Sequence, residues 1–588
     1  MKKNRQRSSQ NKHKRKTEFS TRLQKFIERW WWLFLVLIAL IAIGLRTIDL
    51  RADPPPDLSW SSAIYSDEAH NTYSARNWAL YGKWQVDDYI PYVVYPWLNI
   101  ITGIIFKLFG IGFVQLKIVS LIAGILIVLV VYFFTREIGN AISGLVAALL
   151  SAFCFPLVMY SRLGLAEISQ VLFIGAAGLF LLYAEPNHLA AIFSGITAIA
   201  SVLFVKVSSI FCPVAILSVF LIELIQYRHK PDRMRILLRQ LSFWTIGALI
   251  CLILWSWFIF LPHRTAYLSY VFHHSLGAKA GHPDNIIAYI FNAFSVGAHS
   301  KLLSRLPLVA VIGFAALPLL NLSQTRPIRY LLFLLIAGVA MLGYQYYHPP
   351  RYELFTIFPL IVAFALIIHQ IIKGELRIAH PSATFKGVLA YTLWLWPLFT
   401  HIGIHSNGFW GIFKTSTVTG ILFSALVVAF LINLLLLLNK ITGTTVKLTN
   451  PTISITTAII LLLLVIGNDL NQYKNWFLTR THNMFTYSRD LDSILPGNSV
   501  LAGFWAPALL ATSHKRALFV SETWQVNLKN PISRYGVTHL IAADPAELQL
   551  LDIITEKRSS QSRILRCYHI RDRELIVLEL TDQTDNRH

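Results

Sequence analysis

A polar cluster, Tyr65-Ser66-Asp67-Glu68-Ala69-His70-Asn71, follows shortly after the first apolar segment. A carboxylate in such a place could take the proton of a hydroxyl group, which is general-base chemistry. Neighbouring side chains on a helix point about 100° apart, so Asp67 and Glu68 cannot both reach one atom. The alternative is structural: Ser66 would cap a helix, and acidic residues in the first turn suit the helix dipole.

A second acid, Glu167, opens a later apolar segment shortly after Arg162. An ionisable group at a membrane boundary is costly unless it faces water, is paired or has a function. The sequence leaves three interpretations open. Glu167 is a functional acid on the same side of the membrane as Asp67, an ion-pair partner of Arg162, or an ordinary acid at a helix start.

Cationic side chains recur at the ends of apolar segments on that same side. Lys206 stands between two such segments, Arg264 follows another, and His348 and Arg351 precede a third. A phosphate group at this depth would need cations, and arginine offers it two parallel donors. The alternative is that these side chains extend toward water or lipid headgroups.

The composition indicates that most of the chain lies in a membrane. Of its 588 residues, 55% are hydrophobic and 14% are charged, whereas a soluble protein carries about 25% charged residues. Basic residues crowd residues 1–29, and the net charge of the whole chain is +22. Such a run before an apolar segment is typical of a cytoplasmic tail beside anionic lipid, and we favour this over nucleic-acid binding.

The apolar blocks predict about thirteen membrane helices, since a helix needs about 20 apolar residues to cross the bilayer. Most of the connections that this order places inside are basic, which agrees with the order and with an N-terminus inside. The blocks lie near residues 30–49, 114–134, 141–160, 167–184, 189–205, 208–226, 241–261, 306–322, 329–346, 354–371, 387–403, 418–438 and 452–468.

The predicted fold class is therefore mainly α: a polytopic helical bundle over residues 30–468. Two outer segments interrupt it, 51–112 and 262–305, and the first holds two amphipathic stretches that suit helices in the membrane interface. Residues 469–588 regain polar character, and short apolar runs alternate with helix-like stretches. This pattern predicts a small extracytoplasmic α/β domain.

Four motifs follow one another along the chain: Asp67-Glu68-Ala69 with Tyr73, Ala75-Arg76 and Leu80-Tyr81-Gly82; Tyr95-Pro96-Trp97-Leu98 with Phe106 to Gly110; Ser161-Arg162-Leu163 with Glu167; and Pro350-Arg351-Tyr352 with Pro359. In this order they resemble the GT-C class of glycosyltransferases, with most likeness to the protein O-mannosyltransferases and the lipid A aminoarabinose transferases. The resemblance covers about residues 30–370. This sequence has only Pro96 where the family commonly has paired prolines, and Glu167 where aspartate is frequent.

The resemblance implies an inverting transfer of one sugar from a polyprenyl-phosphate carrier to a lipid, glycan or protein hydroxyl. Asp67 would be the general base, and Glu68 or Glu167 would orient the acceptor. A divalent metal ion at Asp67 and Glu167 is left open. The remaining site residues divide into two groups: Lys206, Arg264, His348 and Arg351 for the donor phosphate, and Tyr65, His70 and Tyr347 for the acceptor.

The main rival function is a polytopic transporter or a flippase of lipid-linked sugars. Transporters tend to show repeated halves with broken helices in matching positions. This sequence shows no such symmetry, and its polar groups gather on one side. The expected location is the plasma or inner membrane, among membrane lipids.

Overall fold

The computed structural model describes residues 2–185, 187–272, 302–319, 325–343, 349–377, 389, 391–396, 399, 426–431, 445–447, 451–555 and 562–580. The helices among them are α1 (Lys2–Thr47), α2 (Asp67–Asn71), α3 (Tyr73–Tyr81), α4 (Pro96–Phe109), α5 (Phe113–Ile138), α6 (Ala141–Phe153), α7 (Phe155–Ser161), α8 (Ala166–Tyr183), α9 (His188–Ala200), α10 (Phe211–Tyr227), α11 (Pro231–Trp255), α12 (Arg264–Ser269), α13 (Leu302–Arg305), α14 (Pro307–Leu319), α15 (Arg326–Leu342), α16 (Ile357–Ile372), α17 (Pro451–Thr479), α18 (Asn483–Ile494), α19 (Ala506–Leu509), α20 (Pro531–Tyr535) and α21 (Pro545–Ile554).

The membrane region is a helical bundle, as predicted. Within the described residues, eight helices are long and apolar enough to cross a bilayer. The pair α6 and α7, bent by 58°, makes a ninth if it forms one span and not a re-entrant loop. The chain is thus a multi-pass membrane protein. The predicted blocks 387–403 and 418–438 lie largely outside the described residues, so the count of about thirteen stays a prediction.

The first outer segment folds into short helices, close to the prediction. The two amphipathic stretches run from Glu68 to Tyr81 and from Tyr95 to Phe109, and α4 confirms that the second is a helix. The first stretch is divided at Thr72, whose hydroxyl donates to the Glu68 carbonyl at 2.7 Å. A side chain that bonds to the backbone one turn earlier competes with continued helix geometry. The break separates α2, which carries Asp67, from α3.

The C-terminal region contains a five-stranded sheet of β3 (Val500–Ala502), β4 (Arg516–Leu518), β5 (His539–Ala542), β6 (Arg563–Ile570) and β7 (Arg573–Glu579). The strands lie in the order β4-β3-β5-β7-β6. β3 is parallel to β4 and β5, whereas β7 is antiparallel to β5 and β6. α17 continues through the predicted domain boundary at residue 469, so the sheet begins later. Two short strands, β1 (Glu375–Arg377) and β2 (Thr445–Lys447), precede this sheet in the chain.

The outer segment is fixed to the C-terminal region by hydrogen bonds from buried side chains. Tyr73 donates through its hydroxyl to the Ala517 carbonyl at 2.7 Å. The guanidinium of Arg76 donates to the carbonyls of Ser513 and Lys515. Each of these bonds joins α3 to the segment around β4, so the sheet is held directly above the helices that follow α1.

We expect Gly503→Ala to destabilise the C-terminal region by roughly 2–3 kcal/mol, because its backbone is strained for any other residue. Gly503 has a φ of +147°, and a Cβ there would lie 2.1 Å from the Ile541 carbonyl oxygen. Thermal unfolding of the protein in detergent measures the effect. The matched control is Gly497→Ala, where no atom lies within 4 Å of an added Cβ. Equal melting of the two variants would contradict this backbone geometry.

Candidate functional site

Four charged side chains from distant parts of the sequence meet at one end of the membrane bundle. The guanidinium of Arg351 contacts the Asp67 carboxylate directly. The Nε of Arg351 lies 3.2 Å from Oε1 of Glu167. The ammonium group of Lys206 lies 2.8 Å from that same oxygen. The four groups therefore form one continuous network of two carboxylates and two cations.

Each of these residues stands at a break in the helices. Asp67 and Glu167 lie in the first turns of α2 and α8, where the helix dipole favours an acid. Lys206 follows a π-helical turn at the end of α9, with extended backbone. Arg351 lies in the 3₁₀ turn Pro350–Thr356 that leads into α16. These breaks bring polar residues to the end of the bundle without placing charges in its apolar middle.

The network is buried, but its members are not equally covered. The side chains of Arg351 and Glu167 are each 4% exposed, whereas that of Asp67 is 21% exposed. Buried charges persist only when opposite charges and hydrogen bonds compensate for lost solvation. Glu167 supplies that compensation for two cations at once. Asp67 is the acid of the network that an incoming molecule can reach most easily.

A cavity of about 360 Å³ lies beside the network, between the membrane bundle and the C-terminal region. Its floor includes Asp67, Glu167 and Arg351, and its roof comes from the C-terminal region. Its volume falls within the range of small-molecule sites, about 300–1,000 Å³. The lining consists of Ser61, Ser62, Ala63, Asp67, Asn71, Tyr95, Glu167, Arg351, Tyr352, Phe504, Trp505, Ser521, Thr523, Trp524, Glu547 and Arg573.

Glu68 faces away from this cavity, as helix geometry requires of a neighbour of Asp67. Its carboxylate accepts a hydrogen bond from the Gly164 N–H at 3.0 Å and lies 3.9 Å from the Lys117 ammonium. Burial raises the pKa of Glu68, and the charge of Lys117 opposes that shift. These contacts hold α2 against α5 and the loop before α8. A catalytic role for Glu68 stays a prediction that its placement does not support.

Contact with the acceptor was predicted for His70 and Tyr65 and stays a prediction. Nδ1 of His70 lies 3.9 Å from Oδ1 of Asp67, so His70 borders the network. Nε2 of His70 lies 2.8 Å from the Phe504 carbonyl oxygen, so the imidazole donates to the C-terminal region. The Tyr65 hydroxyl donates to the Pro54 carbonyl at 3.5 Å. Neither side chain lines the cavity.

The predicted phosphate ligands divide in a similar way. Lys206 and Arg351 belong to the network, and the ammonium of Lys206 also lies 3.8 Å from the centre of the Tyr352 ring. Arg264 begins α12 with an exposed side chain and does not line the cavity. His348 and the predicted acceptor ligand Tyr347 lie outside the described residues.

The suggested ion pair between Glu167 and Arg162 is wrong. The guanidinium of Arg162 instead donates to the backbone carbonyls of Arg46, Ile48 and Asp49, at distances of 3.1, 2.5 and 2.7 Å. These carbonyls lie at the C-terminal end of α1, where the helix leaves backbone acceptors without partners in the helix. Arg162 therefore fixes the end of α1 and leaves Glu167 to the two cations.

The carboxylates proposed for a metal ion already share a cation. Arg351 contacts Asp67 and Glu167, so a divalent ion between the two acids would have to replace a guanidinium. Among the described residues, no group of three or more histidine, cysteine, aspartate or glutamate side chains is placed to hold a metal. This donor set does not fit a divalent ion, and the reaction proposed below uses none.

The roof of the cavity was missed from the sequence. No chemistry was assigned to the region after residue 469, yet Trp524, Glu547 and Arg573 line the cavity. Burial raises the pKa of Glu547 to about 7, partly opposed by a hydrogen bond from the Ala543 N–H. In the sequence Glu547 looks like an ordinary acid in a first helical turn, and only the packing of the two regions shows otherwise.

Residues 65–270 match the family model described as dolichyl-phosphate-mannose-protein mannosyltransferase. The chain is also similar to the crystal structure of ArnT from Cupriavidus metallidurans bound to undecaprenyl phosphate, with a TM-score of 0.51 and 12% sequence identity over 95% of this chain and 99% of that one. The apo state of the same ArnT gives a TM-score of 0.50 and 12% identity over 94% and 98% of the two chains. No curated protein matches in a direct sequence comparison.

At this identity the likeness to ArnT shows a shared fold, the GT-C fold. The family match covers the segments that carry Asp67, Glu167 and Lys206. The two findings together indicate a GT-C glycosyltransferase, as the sequence motifs predicted.

We expect Glu167→Gln to lower stability strongly, because it removes the charge that Lys206 and Arg351 share. Breaking a buried ion pair costs about 3–5 kcal/mol. The matched control is Glu185→Gln, since Glu185 pairs with Arg233 at 2.9 Å while its side chain is 56% exposed, and such a pair is worth about 0–1 kcal/mol. Thermal unfolding in detergent compares the two. Similar midpoints for both variants would show that Glu167 is not the shared counter-charge.

Proposed function

We propose that this GT-C glycosyltransferase moves a single sugar from a polyprenyl-phosphate carrier to an acceptor hydroxyl on the extracytoplasmic face of the membrane, with inversion. The observation that carries the proposal is the contact between Asp67 and Arg351 at the wall of one cavity. A proton acceptor and a phosphate-binding cation thus stand side by side at one end of the bundle.

The reaction requires two charge movements, and the network has a group for each. The acceptor oxygen attacks the anomeric carbon while Asp67 takes the proton of the hydroxyl, a role worth typically about 10²–10⁴-fold in rate. The bond between the anomeric carbon and the phosphate oxygen breaks, and its electron pair leaves with the phosphate. Arg351 and Lys206 stabilise the negative charge that develops there. Direct displacement inverts the anomeric configuration.

The comparisons support a polyprenyl-phosphate donor as a class. The similar ArnT structure has undecaprenyl phosphate bound, and the matching family is that of the dolichyl-phosphate-mannose-protein mannosyltransferases. Both carriers are phosphates of long isoprenoid lipids. A lipid of this kind keeps its chain in the bilayer and its phosphate at the membrane surface. Arg351, in the turn that leads into α16 at one end of the bundle, is placed to meet such a phosphate.

Glu167 has the features of a group that positions a hydroxyl. Its Oε1 contacts Lys206 and Arg351, whereas its Oε2 is buried without a hydrogen-bond partner among the described residues. A buried acceptor left without a donor costs about 1–3 kcal/mol. A hydroxyl of the sugar or of the acceptor supplies that donor once it enters the cavity.

The N-terminal charge supports the assignment of the membrane side. The basic residues before Lys25 favour a cytoplasmic N-terminus by the positive-inside rule. A single crossing by the apolar part of α1, Lys25–Thr47, would then put Asp67 outside. The polyprenyl carrier would present its sugar on that side of the plasma or inner membrane.

We expect Asp67→Asn to reduce sugar transfer about 10²–10⁴-fold, because asparagine keeps the size of the side chain but cannot accept the proton. The assay uses protein in lipid vesicles with a labelled polyprenyl-phosphate hexose and a pool of membrane and protein acceptors. The control is Asp57→Asn in the same outer segment, whose side chain is 70% exposed and pairs with Arg305; it should transfer normally.

Two outcomes of this assay would contradict the proposal. Equal transfer by wild type and Asp67→Asn would remove Asp67 from the role of general base. Movement of label across the vesicle membrane without a new glycosidic product would favour the rival function, a flippase for lipid-linked sugars.

A further inference from the structure

The roof of the cavity lies at one particular edge of the C-terminal sheet. Phe504 and Trp505 follow β3, Ser521 and Trp524 follow β4, and Glu547 follows β5. These three strands are parallel, so all of these residues stand beyond the carboxyl ends of the strands. The roof is thus one edge of the sheet and not a random part of its surface.

This edge is also the point where the strand order reverses. In the sheet β4 lies on one side of β3 and β5 on the other, so the chain leaves β3 in one direction and returns on the opposite side. In open α/β sheets, ligands bind in the crevice outside the carboxyl ends of strands at such a switch point. Here that crevice opens into the cavity above Asp67 and Arg351.

We propose that this edge is the acceptor-binding subsite and that the acceptor group it takes is a hydroxyl-rich carbohydrate; this rests on the proposed function. The positions of the two sides of the cavity indicate which substrate each side binds. The carrier lipid reaches the network from the membrane side, where Arg351 and Lys206 lie. The roof belongs to the region outside the bilayer, and we therefore assign it to the acceptor, the second substrate.

The lining of the roof has the chemistry that a sugar ring requires. A sugar presents C–H groups on its faces and hydroxyls around its rim. Trp524 offers an aromatic surface for the first, while Glu547 accepts hydrogen bonds from hydroxyls and Arg573 donates to them. Ser521 and Thr523 add short hydroxyl groups. The volume of about 360 Å³ suits a small cyclic group better than a folded protein surface.

These groups are held in place before a ligand arrives. The Trp524 ring packs against Tyr89 and Tyr270, with ring centres 5.2 and 5.0 Å away. Glu547 accepts a hydrogen bond from the Ala543 N–H at 2.7 Å, and Arg573 lies 3.2 Å from Asp544. A preorganised site loses less entropy when it binds.

The test measures direct binding of methyl glycosides to the full-length protein in detergent, without any polyprenyl-phosphate sugar present. Saturation-transfer NMR detects the binding. The probes are methyl glycosides of neutral hexoses and of amino sugars, with serine- and threonine-containing peptides as the rival class. At pH 8.5, where the Glu547 carboxylate is ionised, we expect glycosides to bind wild type and Glu547→Gln to weaken that binding about ten-fold, as for the loss of one hydrogen bond to a charged group.

A second variant and a matched control keep the result interpretable. Trp524→Phe retains an aromatic ring and should also weaken glycoside binding. Glu522→Gln changes an exposed acid in the same loop that does not line the cavity, and it should bind as wild type does. All variants should bind undecaprenyl phosphate equally, since that ligand uses the floor of the cavity.

The inference is overturned if no glycoside binds wild type, if Glu547→Gln and Trp524→Phe both bind glycosides normally, or if the peptides bind in place of the glycosides and lose affinity in these variants. None of these outcomes depends on sugar transfer. A failure of the proposed function appears instead in the transfer assay with Asp67→Asn, so the two failures are distinguishable.

Discussion

The guanidinium of Arg351 lies between two carboxylates, and the rest of the site depends on that contact. Asp67, Glu167 and Arg351 come from three separate stretches of the chain, and none of these charges could stay buried without the others. The bundle must therefore end its helices so that the acid-bearing starts of α2 and α8 meet the turn before α16. Because the charges compensate each other, the network stays buried while one face of Asp67 remains reachable from the cavity.

The C-terminal region contributes to this arrangement by holding the outer segment from above. His70 bonds to the Phe504 carbonyl and Tyr73 to the Ala517 carbonyl, so both α2 and α3 are tied to loops near the sheet. Asp67 stands between Arg351 below and these loops above. The same loops form the roof of the cavity. Positioning of the acid and enclosure of the cavity are thus consequences of one docking interface.

The sequence predicted those features that depend on local composition. Apolar blocks predicted the membrane helices that the structure describes, and the short apolar runs 499–502, 517–520, 538–541 and 574–580 predicted β3, β4, β5 and β7. β6 was missed because it is an edge strand with several basic residues, which hide the apolar pattern. Asp67, Glu167, Lys206 and Arg351 could be grouped because sidedness follows from counting membrane crossings. The partners of His70 and Arg162 could not be predicted, since packing brings them together from positions 434 and 113 to 116 residues apart. The place of Glu547 in the cavity depends in the same way on how the C-terminal region packs against the outer segment.

The central claim is that the carrier phosphate binds Arg351 in the same cavity that presents Asp67. A structure of the protein with undecaprenyl phosphate, determined by electron cryo-microscopy, tests it most directly. We expect the phosphate to lie within hydrogen-bonding distance of the Arg351 guanidinium, with the Asp67 carboxylate on the open side of the cavity. A phosphate bound elsewhere, or Asp67 and Arg351 separated by packed helices, would contradict the account.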